Sequence, residues 1–221
     1  MAYVTPGTVA AGDVATAAAW NVITNDILQF APYVQGVFTT EAARDAAITS
    51  PTEGMHVYLT APTVPAATGT TTIVPSGIET IYNGSVWVCV TEVAAINDTT
   101  GTTTSTSYTT TLSGGGTNIS VTLVTGTTVL LNQHLQAGNS NADNSALMTI
   151  SVSGATTIAA GSFPIVSRAY SSTAGAVQTA TTTRVLTGLT AGTNTFTLQY
   201  LVSSGTTGTY YARSLTAKGV A

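Results

Sequence analysis

The first apolar pattern along the chain has the spacing of a helix. Intervals of three and four residues separate Trp20, Ile23, Ile27 and Phe30. This spacing predicts an amphipathic helix within an N-terminal arm over residues 1–36, with Asp13 as its N-cap and Pro32 ending it. So short a helix is not stable alone, and its apolar face needs a partner. The partner is either the core of its own chain or a neighbouring protein, and we name the four apolar residues as candidate attachment residues.

A second pattern predicts a small α+β module over residues 37–92. Thr39 or Thr40 can cap a short helix that Ser50-Pro51 ends. After it, Met55, Val57 and Leu59 alternate with polar or amphipathic neighbours, as they do in a half-buried strand. The module therefore has one helix followed by about three strands.

The module ends in two short apolar runs on either side of Asn83-Gly84. This pair is suited to a two-residue type I′ turn, in which both residues need a positive φ, and it predicts a tight hairpin. Trp87, on the second strand, is the predicted core anchor. We place Met55 and Val57 in the same core, and Cys89 as a small buried side chain near Trp87.

Two stretches are predicted to lie outside regular buried structure. Residues 61–77 hold three prolines among Thr and Gly and predict a surface loop. Residues 93–106 are rich in Thr, and we predict a linker or exposed edge strand there, with the domain boundary inside it.

From residue 107 to 221 the pattern is one of short strands separated by glycine-containing turns. It predicts an antiparallel β-sandwich of the jelly-roll kind and makes the chain mainly β. The predicted strands are Ser107–Leu112, Ile119–Val124, Thr127–Leu135, Leu147–Val152, Phe163–Tyr170, Thr179–Leu189, Thr193–Val202 and Tyr210–Ala217.

Charge is scarce along the whole chain. Only 6% of residues are charged, and the five basic residues are scattered over a chain with a net charge of −4. A nucleic-acid partner is therefore not expected, because phosphate binding needs clustered Lys or Arg. No window is apolar enough to predict a membrane span, and the N-terminus lacks the pattern of a signal peptide, so we expect synthesis in a cytoplasm without secretion.

Candidate chemistry is equally sparse. His56 and His134 fall in different predicted domains, and Asp143 is the only acidic residue after position 100. No motif for phosphate binding, metal binding or nucleophilic catalysis occurs. We predict no catalytic residues, no metal site and no cofactor, and expect a protein that is not an enzyme.

The loop over residues 138–145 suggests two alternatives. Asp143 and its neighbouring asparagines offer oxygen ligands of the kind calcium takes. The same residues favour turns for backbone reasons, and the sequence favours an ordinary turn.

Three tyrosines near glycine-rich loops form a candidate ligand surface, Tyr170, Tyr210 and Tyr211. Exposed aromatic rings can bind sugars or proteins. The alternative is that these rings pack within the sandwich or between subunits, since aromatic side chains dominate core and interface burial.

Two motifs in the first 90 residues carry a resemblance to a known class of protein. The series from Phe38 to Ile48, FTTEAARDAAI, is followed by Pro51, Gly54-Met55 and the segment YNGSVW over 82–87. This resembles a module of tailed-bacteriophage structural proteins of the minor tail, tail-fibre and head-decoration types. The GDVATA run over 12–17 is similar to the stretch that often precedes that module.

The resemblance implies a structural virion protein without an active site. On that expectation the N-terminal arm attaches to the particle and the sandwich is displayed, either on a tail fibre or on the capsid. It also implies a homotrimer whose partners are its own copies and other virion proteins. The alternative function is a module that binds a host-surface glycan or receptor through the sandwich loops.

Overall fold

The computed structural model describes residues 36–162 and 166–221, and in them the chain is mainly β. The helix is α1 (Glu41–Ala47). The strands are β1 (Gly36–Phe38), β2 (His56–Leu59), β3 (Ala66–Thr68), β4 (Thr71–Ile73), β5 (Ile78–Tyr82), β6 (Trp87–Cys89), β7 (Val93–Asn97), β8 (Gly101–Thr103), β9 (Ser120–Thr125), β10 (Thr128–Asn139), β11 (Asn144–Gly154), β12 (Ser167–Ser171), β13 (Gln178–Thr187), β14 (Gly192–Val202) and β15 (Gly208–Val220). Among these residues no helix is long and apolar enough to cross a membrane.

Eight of the strands form a two-sheet sandwich with the strand order of a jelly roll. One sheet contains the order β13-β10-β15-β7, and the other contains β12-β11-β14-β9. The chain changes sheet from β9 to β10, from β10 to β11 and at every step from β12 to β15, so that neighbours within a sheet come from distant parts of the sequence. The predicted fold class is confirmed.

Alternation along each strand explains why these residues form a sandwich. In β10 the side chains at Val129, Leu131, Gln133 and Leu135 are buried, while those that alternate with them are half-buried on the outer face. In β14 the buried positions are Phe196, Leu198 and Tyr200, as their period of two predicts. The two inner faces meet in one continuous apolar core.

Four of the other strands form a separate sheet, β1-β2-β5-β6, with α1 beside it, while β3, β4 and β8 pair with strands of the sandwich. Thr40 is the N-cap of α1, and its side-chain oxygen accepts a hydrogen bond from the Ala43 amide at 3.3 Å. Val57 and Trp87 are buried, and Met55 packs half-buried against them in the common core. Cys89 is buried as predicted.

The turn after β5 differs from the predicted type I′ turn. Gly84 has a φ of +87°, but Asp143 is the one non-glycine residue with positive φ in the described chain, so Asn83 does not fit that turn. Instead the Asn83 side-chain oxygen accepts hydrogen bonds from the amides of Ser85 and Val86, at 3.1 and 2.9 Å. The asparagine thus closes a loop of four residues with its own side chain.

The predicted linker over residues 93–106 is wrong in its first part. Strand β7 lies inside the sandwich sheet between β15 and β4, and Val93, Ala95 and Asn97 are fully buried. The Thr-rich composition begins only after Asn97, whereas the run before it is apolar, as expected of a strand buried on both faces.

The predicted surface loop over residues 61–77 contains two short strands. β3 pairs with β9, and β4 pairs with β7, so one insertion extends both sheets of the sandwich. The segment that connects β2 to β5 is therefore held on the sandwich by backbone pairing, and the four-stranded sheet shares the common core. The side chains of this segment are mostly exposed, as the loop prediction required.

The predicted strand Ser107–Leu112 does not form. Thr109 makes an isolated bridge to Tyr200 of β14, but the amides of Ser107 and Thr111 bond to nearby side-chain hydroxyls, those of Ser105 and Thr109. Such local hydrogen bonds compete with a β-ladder, and Ser and Thr are the residues that make them.

The last strand is tightly packed against the four-stranded sheet. A Cβ added at Gly219 would lie 2.6 Å from the carbonyl oxygen of Cys89 and 2.6 Å from a Val88 methyl group. Only a glycine lets β15 pass this close to β6 without moving one of them.

We expect Gly219→Ala to destabilise the fold by about 1–3 kcal/mol, because the added methyl overlaps backbone that cannot move freely. The matched control is Gly205→Ala in the loop after β14, where nothing lies within 4 Å of an added Cβ. This control should change stability by less than about 0.5 kcal/mol. Urea denaturation followed by circular dichroism measures both, and equal stabilities would contradict the close approach.

Candidate functional site

One end of the sandwich is built from three loops that hold each other in place. They are residues 140–143, 172–177 and 203–207, which we call the loop end. Ser140 and Thr207 are joined by a backbone hydrogen bond of 2.8 Å, and the Gly175 amide donates to the Asn139 carbonyl at 2.8 Å. The four-stranded sheet lies at the opposite end, beside Gly126 and Gly219. The loop end is therefore the far end of the molecule.

Tyr170 is the exposed aromatic ring of the loop end. Its side chain is 46% exposed, and its hydroxyl donates to Asp143 Oδ1 at 3.0 Å. The Arg168 guanidinium lies 5.1 Å from the ring centre, while its Nε donates to Ser145 Oγ at 2.6 Å. The hydrogen bond to the Asp143 carboxylate raises the pKa of Tyr170. The result is a fixed aromatic surface with a carboxylate and a guanidinium beside it.

The geometry of residues 138–145 matches the predicted turn. Asn139 Oδ1 accepts from the Asn141 amide, Asn144 Oδ1 accepts from Ser204 Oγ at 2.7 Å, and Asp143 accepts from Tyr170. These oxygens are thus engaged within the protein. The described residues contain no cluster of three or more His, Cys, Asp or Glu side chains that could hold a metal ion.

Tyr210 is not part of a ligand surface, because its side chain is fully buried. Its hydroxyl donates to the carbonyls of Leu147 and Leu201 at 3.1 and 2.7 Å, and its ring lies 5.1 Å from that of Tyr200. Burial raises the pKa of Tyr200 to about 12. Tyr211, the next residue, is half-buried. Of the three predicted tyrosines, Tyr170 alone is exposed at the loop end.

A buried arginine near these tyrosines was missed by the sequence analysis. Arg213 donates to the carbonyls of Gly115 and Tyr210 at 2.9 and 3.2 Å, and its guanidinium lies 5.7 Å from the Tyr200 ring. Burial lowers its pKa. The available signal was its alternation with Leu215 and Ala217, which places Arg213 on the inward face of β15. Its contacts fix the loop before β9 to the sandwich.

A second polar and aromatic arrangement lies between α1 and the four-stranded sheet. The buried Arg44 guanidinium is 4.8 Å from the centre of the Trp87 ring and pairs with Asp45 at 2.8 Å. A cavity of about 240 Å³ lies beside them, lined mostly by apolar side chains that include Leu59 and Val124. The cation and the ring stabilise each other within the module core.

Glu41, on α1, holds the start of the segment over residues 61–77 by hydrogen bonds. Its carboxylate accepts hydrogen bonds from the amides of Thr63 and Val64, at 3.0 and 2.9 Å, and from the Thr63 hydroxyl. Burial alone would raise the pKa of Glu41, but the hydrogen bonds outweigh it and the pKa is lowered. The segment leading to β3 and β4 is thus fixed at its start.

The residues that offered general-base or nucleophilic chemistry are not brought together. His56 is on β2 and His134 is on β10, in different sheets. Burial raises the pKa of the Cys89 thiol, which disfavours the reactive thiolate. The candidate attachment residues Trp20, Ile23, Ile27 and Phe30 lie outside the described residues.

Comparisons with known proteins do not identify a family for this chain. No protein-family model matches the chain, and no curated protein matches it. Among solved structures, Eiger TNF from S. frugiperda is similar, with 11% identity, 58% of this chain and 92% of that chain covered, and a TM-score of 0.41. A chain of infectious bursal disease virus, Gx strain, has 12% identity and a TM-score of 0.37, with 65% of this chain and 41% of that one covered.

We expect Tyr210→Phe to destabilise the protein by about 1–2 kcal/mol, because two buried carbonyls lose their shared donor. The control is Tyr211→Phe, which removes the same atom from a half-buried ring and should cost less than about 0.5 kcal/mol. Chemical denaturation measures the difference. Equal losses of stability in the two variants would contradict the burial of the Tyr210 hydroxyl and its two hydrogen bonds.

Proposed function

We propose that this chain is a non-enzymatic structural component of a tailed-phage particle, anchored by its N-terminal region and displaying the jelly roll. The observation that carries the proposal is that the start of the described chain and the loop end lie at opposite ends of the molecule. The described chain starts in the four-stranded sheet at one end, and the loop end is at the other. The twelve residues of β10 run between them, a distance of about 37 Å.

Two further features support a place in a repeated assembly. The low charge leaves few like charges to repel neighbouring copies, and the motifs over residues 38–48 and 82–87 resemble those of phage tail and head-decoration proteins. On this proposal the chain forms a homotrimer that contacts other virion proteins through Trp20, Ile23, Ile27 and Phe30. It belongs either to a tail fibre or minor tail structure, or to the outer surface of the capsid.

The proposal predicts that the two ends of the sandwich differ in access on intact particles. Gly175 and Gly188 are matched insertion points, since both are exposed, both have positive φ, and neither has an atom within 4 Å of an added Cβ. Gly175 lies at the loop end, whereas Gly188 lies at the opposite end, after β13. We expect an epitope tag at Gly175 to bind gold-labelled antibody on intact particles, and a tag at Gly188 to be shielded.

Electron microscopy of the labelled particles also shows whether the tag is on the head or the tail. Disrupted particles provide the control, because both tags should then bind equally. A particle that carries the chain but labels only at Gly188 would reverse the proposed orientation. Purified particles without the chain would contradict the proposal altogether.

The arrangement of Tyr170 favours a second candidate function, the binding of a host-surface glycan or receptor. An exposed ring can stack on a sugar, and the neighbouring Asp143 and Arg168 can bond its hydroxyl or carboxylate groups. Ligand-binding sites commonly use a few polar groups to orient a ligand on an apolar surface. This function is compatible with display on a particle.

We expect Tyr170→Ala to reduce glycan binding at least tenfold on a glycan array, because it removes the stacking surface. Val177→Ala is the control, since Val177 is 44% exposed in the neighbouring loop but is not part of the group. If the unaltered protein binds no glycan, or if both variants bind equally well, this candidate function is wrong. The structural proposal does not depend on the result.

A further inference from the structure

The outer face of the larger sandwich sheet is almost without charge. It is formed by the outward-pointing side chains of β4, β7, β15, β10 and β13, and we call it the flat face. Across it, one row of paired residues is Val185, Leu130 and Lys218, and the next contains Thr183 and Asn132. Lys218 is the one Lys or Arg among these outward positions, and none is Asp or Glu.

The side chains of the flat face are held in place by each other. Asn132 Nδ2 donates to Thr183 Oγ1 at 2.8 Å, and His134 Nδ1 lies 3.1 Å from Thr181 Oγ1. Most of the others are short or β-branched, with few rotamers to lose. Ordering this face against a partner therefore has a small entropic cost.

Exposed apolar side chains are concentrated on the same side of the molecule. Eight large apolar side chains are exposed in the described residues, and Ile73, Val185 and Val220 are on the flat face. Val37 and Tyr58 are on the adjoining outer face of the four-stranded sheet. A groove of about 470 Å³ joins the two faces, and Glu79 and Lys218, of opposite charge, both line it.

The combined area of the flat face and the outer face of the four-stranded sheet is similar to the area that one partner buries in a protein–protein interface. Five strands at about 4.8 Å spacing, over the length of β10 that is paired on both sides, give roughly 600 Å². The outer face of the four-stranded sheet brings the total near 800 Å², which is about what each partner contributes to a stable complex. The exposed apolar side chains of the flat face, Ile73, Val185 and Val220 among them, lie on a surface whose other side chains are mostly uncharged hydroxyls and amides.

The scarcity of charge on this face favours a second copy of the chain as the partner. Around a symmetry axis, the same face of each copy points inward, and side chains near the axis meet their own copies. Any charge there would lie against a like charge, which is destabilising, so a symmetric interface needs an uncharged centre. The flat face has this property in its middle rows, whereas a charged partner would find no complement there.

We propose that the flat face and the adjoining outer face of the four-stranded sheet are the surface through which copies of this chain associate. The inference names the contact surface of the assembly in the proposed function. It is tested on purified protein, so it can fail while the location in the particle stands.

The test is the oligomeric state of the full-length chain by sedimentation velocity. We expect the unaltered protein to be an oligomer, and Val185→Glu to weaken association at least 100-fold, because it places like charges in the interface. Val177→Glu is the matched control, with a similar exposure of 44% against 57% but a position at the loop end. It should leave the oligomer intact, and both variants should keep the circular dichroism spectrum of the unaltered protein.

Three outcomes would overturn the inference. The first is an unaltered protein that is monomeric over the micromolar range. The second is an oligomer that persists both in Val185→Glu and in Thr183→Glu, a second variant in the neighbouring row of the flat face. The third is an oligomer lost in Ile27→Glu but kept in Val185→Glu, which would assign the contact to the N-terminal segment.

Discussion

The structure depends on the backbone pairing of its last strand. β15 bonds to β10 along one edge and to β7 and β8 along the other, so it is central to the larger sheet. Its first residues are next to the loop end and its last residues pass against β6 of the four-stranded sheet. Both ends of the molecule are therefore positioned by one continuous strand, which sets the distance between them.

With few charges, the protein uses hydrogen bonds from amides and hydroxyls to fix its loops. Asn97 donates to the carbonyls of Gly115 and Thr117, and the buried Asn194 donates to Thr125 Oγ1 and the Thr190 carbonyl. Arg213 acts in the same way, because its guanidinium bonds to backbone carbonyls. Buried polar groups of this kind specify one arrangement of the loops, since a lost partner leaves a group unsatisfied. The outer faces can then remain uncharged without loss of specificity.

Much of the fold could be predicted from periodicity, and the errors have physical causes. The alternation around Phe196 and Leu198, and the capping residue Thr40, predicted their elements because burial and capping are local in sequence. The pairing of residues 66–73 with both sheets could not be predicted, because it depends on sheet edges that only the complete sandwich creates. Similarly, nothing local distinguishes Tyr210 from Tyr211, and the bulge in β15 decides which of them points inward. Tyr170 was found as a candidate by its loop position, and its neighbour Arg168 lies two residues away on the same face of β12, but Asp143 is brought to it only by the turn between β10 and β11.

The central place of β15 also determines when the protein can fold during its synthesis. Until its last strand has left the ribosome, β10 and β7 each have an open edge, and the core between the sheets is incomplete. Open edges of this kind pair readily with other chains, so the incomplete sandwich is prone to such pairing. A chain interrupted before β15 therefore lacks the central strand of the larger sheet and part of the common core. Only a copy that includes β15 presents the complete sheet face that we propose for association between copies.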